Sequence, residues 1–232
     1  MKNIHCHTSL HGNPQCVFLL HGLCRTSRSM NKLAQSLVRS GYDVVNVNYP
    51  SRHFPIARLS EDIHTRIRNH TDQRNYERIH FVTHSMGGII VRHILANHTL
   101  SNLGRVVMLS PPNQGSEVVD RLKHLFTYKL LNGPAGLELG TDKADTPTRL
   151  GPARFDLGVI TGRKTINFIL STMIPGENDG KVSAQRARLE GMRDFLVVGA
   201  THPFIMKNNE VIRQVLFYLK TGRFDHAGHK EI

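Results

Sequence analysis

At 232 residues and 39% hydrophobic, the chain can bury roughly three quarters of its unfolded surface around one core, within the range of a single large domain. Its 30 Lys and Arg against 18 Asp and Glu give a formal charge of +12 and a pI near 10.1, which favours contact with polyanions. The basic residues are scattered, with no block of five or more and no Trp, so a specific nucleic-acid site is not expected; an anionic membrane surface or an acidic substrate is left to account for the charge.

From the N-terminus, Cys6, Cys16 and Cys24 fit neither a disulfide framework nor zinc-ligand spacing, and a reducing compartment is the simpler reading. His5, Cys6, His7, His11 and Cys16 read as an ordinary polar N-terminus rather than a metal site. The opening residues lack the apolar stretch of a signal peptide, and no later run approaches ~18 apolar residues. The expectation is a cytoplasmic protein, unless it is exported by a route that leaves no such signal.

Short β-rich apolar runs then alternate with helix-period segments, the pattern of a mostly parallel sheet covered on both faces. Val17 to Leu20 reads as a buried strand ending at His21-Gly22. Ser29 to Arg39 reads as a helix, because Met30, Leu33, Ala34, Leu37 and Val38 share one face and Gly41 stands where a C-terminal cap belongs. Strands follow at Asp43 to Val47, Ile79 to Thr83 and Arg105 to Leu109, with helices at Leu59 to Arg68, Met86 to Asn97 and near Ser116 to Phe126. From Lys129 to Pro152 the apolar period is lost among four glycines, and a segment of this length reads as a small mobile cap or binding loop within the one domain. A strand at Asp156 to Thr161, another at Phe195 to Gly199 and a helix from Glu210 to Lys220 closed by Gly222 complete the pattern. The tail from Arg223 to Ile232 reads as frayed surface.

Thr83-His84-Ser85-Met86-Gly87-Gly88 lies between a strand and a helix, the context that a nucleophile elbow requires. Small residues two before and two after Ser85 let strand and helix pass closely; Thr83 stands where the common pattern has Gly. A Ser hydroxyl is a weak nucleophile, so it needs a base, and the base needs an orienting acid. The best acid downstream is Asp179, in Pro175-Gly176-Glu177-Asn178-Asp179-Gly180, with Glu177 as its rival. The base is His202, immediately after the last strand. The second half of an oxyanion hole belongs after the first strand, where Gly22 allows close approach and the N–H of Leu23 would act with that of Met86. His21 and His84 are expected to support these loops. His21, Gly22, Ser116, Leu137 and Leu139 are the candidates for the substrate pocket.

These residues resemble the α/β-hydrolase superfamily, and within it the bacterial lipases and esterases. The match rests on Leu20-His21-Gly22-Leu23, Thr83 to Gly88, Leu109-Ser110-Pro111-Pro112-Asn113-Gln114-Gly115-Ser116, Asn178 to Val182 and Thr201-His202. It implies an α/β fold and a serine hydrolase with the triad Ser85, Asp179 and His202. It further implies cleavage of small-molecule or lipid esters through an acyl-enzyme without a cofactor; some such lipases carry a structural calcium ion, but the sequence offers no corresponding acidic pair, and no metal is expected. The same triad would also serve an acyltransferase, thioesterase or amidase, and a binding module could retain the fold without catalysis.

Overall fold

The computed structural model describes residues 15–165, 174 and 176–228, with residues 4–7 as backbone. Seven strands form one sheet: β1 (Ile4–His7), β2 (Gln15–Leu20), β3 (Asp43–Val47), β4 (Arg78–His84), β5 (Leu103–Leu109), β6 (Leu157–Gly162) and β7 (Asp194–Val198). Their spatial order is β1-β3-β2-β4-β5-β6-β7. β1 runs antiparallel to β3, and the other six strands are parallel. The helices are α1 (Asn31–Arg39), α2 (Ile56–Thr71), α3 (Met86–Asn97), α4 (Glu117–Leu122), α5 (Phe126–Leu137), α6 (Thr146–Arg149), α7 (Ala184–Ala187) and α8 (Asn209–Thr221).

Successive side chains of a strand point to opposite faces, so an apolar run buried on both sides must be apolar throughout. Phe18, Leu20, Val45, Val47, Phe81, Val106 and Met108 face one way and pack with Ile56, Leu59, Ile63 and Ile67 of α2 and Ile89, Ile90 and Ile94 of α3. Val17, Leu19, Val44, Val82, Val107 and Leu109 face the other way, against Leu33 and Leu37 of α1 and Val211, Val215, Tyr218 and Leu219 of α8. Two cores therefore clamp the sheet and fix the carboxyl ends of β2 and β4 side by side, with Leu20 opposite Thr83. Gly41 (φ 93°) and Gly222 (φ 79°) close α1 and α8 in the left-handed region, as their positions in the sequence require.

Three expectations need correction. The polar N-terminus is more ordered than expected, since Ile4–His7 forms an edge strand on β3, and Cys16 is buried inside β2; His11 lies outside the described residues. The tail is docked as far as it is described: Phe224 is buried with its ring 4.7 Å from that of Tyr218, Asp225 pairs with Arg213 at 2.7 Å and His226 with Asp194 at 2.9 Å. The segment expected to be an aperiodic cap is largely helical, beginning at Phe126. Gly133 (φ 65°), followed by Pro134, kinks α5, so the residues on either side fall out of phase and the period is hidden.

Behind the nucleophile turn, Arg92 of α3 is buried with no carboxylate partner among the described residues. Its Nη1 donates to the Asn113 carbonyl (2.8 Å) and its Nη2 to the carbonyls of Pro147 (2.9 Å) and Gly151 (2.8 Å). Burial lowers its pKa to about 10, and the carbonyl dipoles hold the charge that water would otherwise solvate.

Candidate active site

β4 ends where α3 begins, and Ser85 makes the turn between them with φ 52° and ψ −124°, a region that non-glycine residues rarely occupy. The strain is held from both sides: the Ser85 N–H donates to the Leu109 carbonyl (2.9 Å), and the Ser85 carbonyl accepts from the Gly88 N–H (2.9 Å). Gly87 explains the small-residue requirement, since a Cβ there would stand 2.6 Å from the Leu20 carbonyl oxygen. Gly22 sits equally close, as its Cβ would fall 2.8 Å from His84 Nδ1 and 3.1 Å from Ser85 Cβ.

The three residues expected to act together converge. His202 Nε2 lies 3.1 Å from Ser85 Oγ, and His202 Nδ1 lies 2.9 Å from Asp179 Oδ2. Asp179 Oδ1 accepts from the N–H groups of Lys181 (3.1 Å) and Val182 (3.0 Å). With three donors around one carboxylate, His202 carries its proton on Nδ1 and offers the Nε2 lone pair to the Ser85 hydroxyl. Burial alone would raise the Asp179 pKa; the neighbouring His202 and the hydrogen bonds outweigh it and hold the carboxyl below its usual range. Glu177, the rival acid, is exposed and does not line the cavity.

Ser85 opens into a cavity of about 380 Å³, walled chiefly by Leu23, Val118, Val119, Leu122, Tyr128 and Leu139, with Ser116 and Asn132 among its polar groups. Ser116 and Leu139 line this cavity. Leu137 is half-buried and away from the cavity wall, because the helix turns it elsewhere. His21 and Gly22 also lie outside the lining. His21 is fully buried, stacked 4.0 Å from the Tyr49 ring; its Nε2 accepts from the Tyr49 N–H (3.3 Å), its Nδ1 donates to the Gly22 carbonyl (2.9 Å), and the Tyr49 hydroxyl donates to its carbonyl. Burial pushes the His21 pKa down to about 4, so it supports the loop as a neutral ring.

His84 is buried too and turns away from Ser85 Oγ, its Nε2 donating to the His202 carbonyl (3.0 Å). Burial first, then the nearby His202, hold its pKa well below the ordinary value. The N–H groups of Leu23 and Met86 have no acceptor among the described residues. The wall contributed by Val118, Val119, Leu122, Tyr128 and Asn132 went unassigned in the sequence, although the first three share one face of a short helix and could have been read as such. Asp120, Asp142 and Asp145 converge as carboxylates do around a cation, but the Lys123 ammonium occupies the centre, 2.8 Å from Asp142 and 3.5 Å from Asp120. No helix among the described residues is long and apolar enough to cross a membrane.

No curated protein matches the sequence. Among solved structures the chain is similar to the mature lipase BlEst2 of Bacillus licheniformis, at 22% identity and a TM-score of 0.74, covering 93% of this chain and 97% of that one. It is similar to phospholipase PlaB from Legionella pneumophila at 18% identity and 0.73, spanning 91% of this chain and 60% of PlaB. A monoacylglycerol lipase from Paleococcus ferrophilus gives 18% identity and 0.64, with 96% and 100% covered. At these identities the likeness is one of fold. Residues 13–138, more than half of the chain, match the model of the family described as serine aminopeptidase, S33, and this stretch includes Ser85; the chain therefore belongs to that family and is an α/β-hydrolase of the serine hydrolase type.

Proposed function

We propose that the protein is a carboxylic-ester hydrolase acting through an acyl-enzyme. The observation that carries this reading is the hydrogen-bonded chain from Asp179 through His202 to Ser85, opening into a predominantly apolar cavity. In this scheme Ser85 Oγ attacks the ester carbonyl carbon while its proton passes to His202 Nε2. The N–H groups of Leu23 and Met86 hold the oxyanion, and collapse expels the alcohol with the proton from His202. Water then attacks the acyl carbon and gives a proton to the same nitrogen; collapse breaks the bond to Ser85 Oγ, which takes that proton as the acid leaves. Asp179 keeps the imidazole in the tautomer that can accept, and no step calls for a cofactor.

The acyl portion would rest against Leu139 and the α4 wall, under a cap comprising most of residues 129–152 of this single domain. The outer face of the cap supports a lipid-facing role. Leu125, Phe126, Leu130 and Leu131 are 52%, 77%, 70% and 59% exposed, an apolar ridge on a chain of charge +12, which suits contact with an anionic membrane surface.

The test is incubation with a fluorophosphonate followed by mass mapping of the modified residue, together with turnover of short p-nitrophenyl esters. Label on Ser85, lost together with hydrolysis in Ser85→Ala at unchanged circular dichroism, is the expected result. An unlabelled Ser85, or activity retained in Ser85→Ala, refutes the proposal.

A further inference from the structure

The cavity holds more positive charge than ester cleavage by the triad uses. Arg25 and Lys181 line it, from the loops that also carry Leu23 and Asp179. Among the described residues Asp179 is the only carboxylate in the lining; it is sealed from solvent and its oxygens are taken by His202 and two backbone N–H groups. Neither Arg25 nor Lys181 has a carboxylate within ion-pair distance among the described residues. The Arg25 guanidinium makes one long contact, 3.5 Å from Nη2 to the Pro203 carbonyl. Both cations act on the same buried centre: after burial and His202, their fields add to the depression of the His84 pKa. Some cations of this basic surface are paired, as Lys123 is with its aspartates and Arg213 with Glu210 and Asp225; Arg25 and Lys181 are set apart by lining the cavity. Two unpaired cations in a concave, apolar-walled site focus positive potential where a substrate must lie.

We infer that Arg25 and Lys181 form an anion-binding subsite beside Ser85, and that the preferred substrate is an ester carrying a carboxylate or phosphate group. This deepens the ester-hydrolase reading and rests on it. Arg25 supplies planar paired donors suited to either anion, and Lys181, exposed at the rim, supplies a point charge. A terminal α-ammonium, the group that an aminopeptidase substrate presents, would instead meet two cations and no free carboxylate.

Two matched pairs of substrates test this and separate the sources of the anion. A phosphate on the alcohol side is read by 1-hexanoylglycerol 3-phosphate against 1-hexanoylglycerol. A carboxylate at the far end of the acyl chain is read by mono-4-nitrophenyl suberate against 4-nitrophenyl octanoate. In at least one pair the kcat/KM ratio of anionic to neutral ester should exceed tenfold, fall at least tenfold in Arg25→Gln/Lys181→Gln, and invert in Arg25→Glu/Lys181→Glu. Calorimetry of glycerol 3-phosphate and of suberate on the Ser85→Ala protein reads the subsite without turnover, and binding should vanish when the Gln pair is added. Ratios of one or less in both pairs, or ratios and binding indifferent to the double variants, overturn the inference. If Ser85 takes the fluorophosphonate but these ratios fail, only the subsite is wrong; if an anion binds and Ser85 takes no label, the subsite stands and the hydrolase reading falls.

Discussion

Asp179→Asn tests the central hydrogen-bond arrangement most sharply, because every neighbour of that carboxylate is a donor. Oδ1 faces the N–H groups of Lys181 and Val182, and Oδ2 faces His202 Nδ1. An asparagine has one acceptor oxygen to share among them. If its NH2 turned toward Lys181 and Val182, two buried N–H donors would lose their acceptor, at about 1–3 kcal/mol each. If its oxygen stays on those two amides, its NH2 points at His202, and the ring can relieve the conflict by moving its proton to Nε2. The second arrangement is favoured, since a tautomer change costs less than two unmet donors. It keeps the fold but leaves Nε2 with a proton facing Ser85, and so without a base. The expected result is a loss in kcat of about 10⁴ on 4-nitrophenyl butyrate, about 5 kcal/mol of transition-state stabilisation. The melting temperature should fall by less than roughly 10 °C. Glu177→Gln, exposed and away from the cavity, should stay within about twofold of the parent as a surface change. An Asp179→Asn variant with more than a tenth of the parental kcat would refute the orienting role, and damage at Glu177 instead would move the acid two residues.

Gly22→Ala should lower kcat by at least tenfold, since its methyl would fall 2.8 Å from His84 Nδ1 and push the Leu23 loop off Ser85; unchanged kinetics would mean that the loop has slack. Replacing Leu139, buried on the cavity wall, with Ser should shift the long-to-short acyl preference about tenfold, whereas Leu137→Ser should leave the profile in place; equal effects would count against the wall assignment. Hydrolysis of esters in anionic vesicles should fall steeply as salt rises through ~0.1 M while a soluble short-chain ester is nearly indifferent, and equal salt profiles would leave the charged surface without a role in catalysis.

Acid should destabilise the protein well above the carboxylate range. Burial pushes His21 and His80 down to about 4, below the ordinary 6.5, so the unfolded chain takes up their protons first as pH falls. Their contribution is complete above pH 6.5 and is lost progressively toward pH 4, at about 2 kcal/mol per histidine between pH 7.5 and 5.0. Urea melts at those two pH values, with His80→Gln expected to reduce the loss by about 2 kcal/mol while His84, likewise depressed by burial, keeps its share, would check this; a flat profile would contradict it.

The sheet was legible because its strands are buried on both faces, which writes them as unbroken apolar runs such as Val17 to Leu20, and because Gly41 and Gly222 mark helix ends. The catalytic candidates were legible because chemistry confines them to strand ends: Ser85 at a strand-to-helix turn, His202 just past β7 and Asp179 in a glycine-bearing loop. Less was readable where tertiary contact decides the outcome. β1 has four residues and gains its place from β3, and the tail docks through Phe224, one aromatic residue with no period around it. Leu137 and Leu139, two apart around the end of α5, face different environments, and the kink at Gly133 hides the helix they close from the sequence period.

Arg92 gives the two ends of the proposed cap different thermodynamic character. Its guanidinium ties α3 to the carbonyls of Pro147 and Gly151, so detaching that end would strand a charge in the core. Across the Gly133 kink, the stretch from Leu125 to Leu131 presents an exposed ridge, held by Arg52 Nη1 donating to the Leu131 carbonyl (3.3 Å) at the surface instead of by a buried charge. Amides around Thr146 to Gly151 should therefore exchange with solvent hydrogen only when the whole domain opens, while those of the first turns of α5 exchange through local opening. In the proposed cap, the apolar leading edge would then move over the cavity while its root stays part of the same folding unit as the helix behind Ser85.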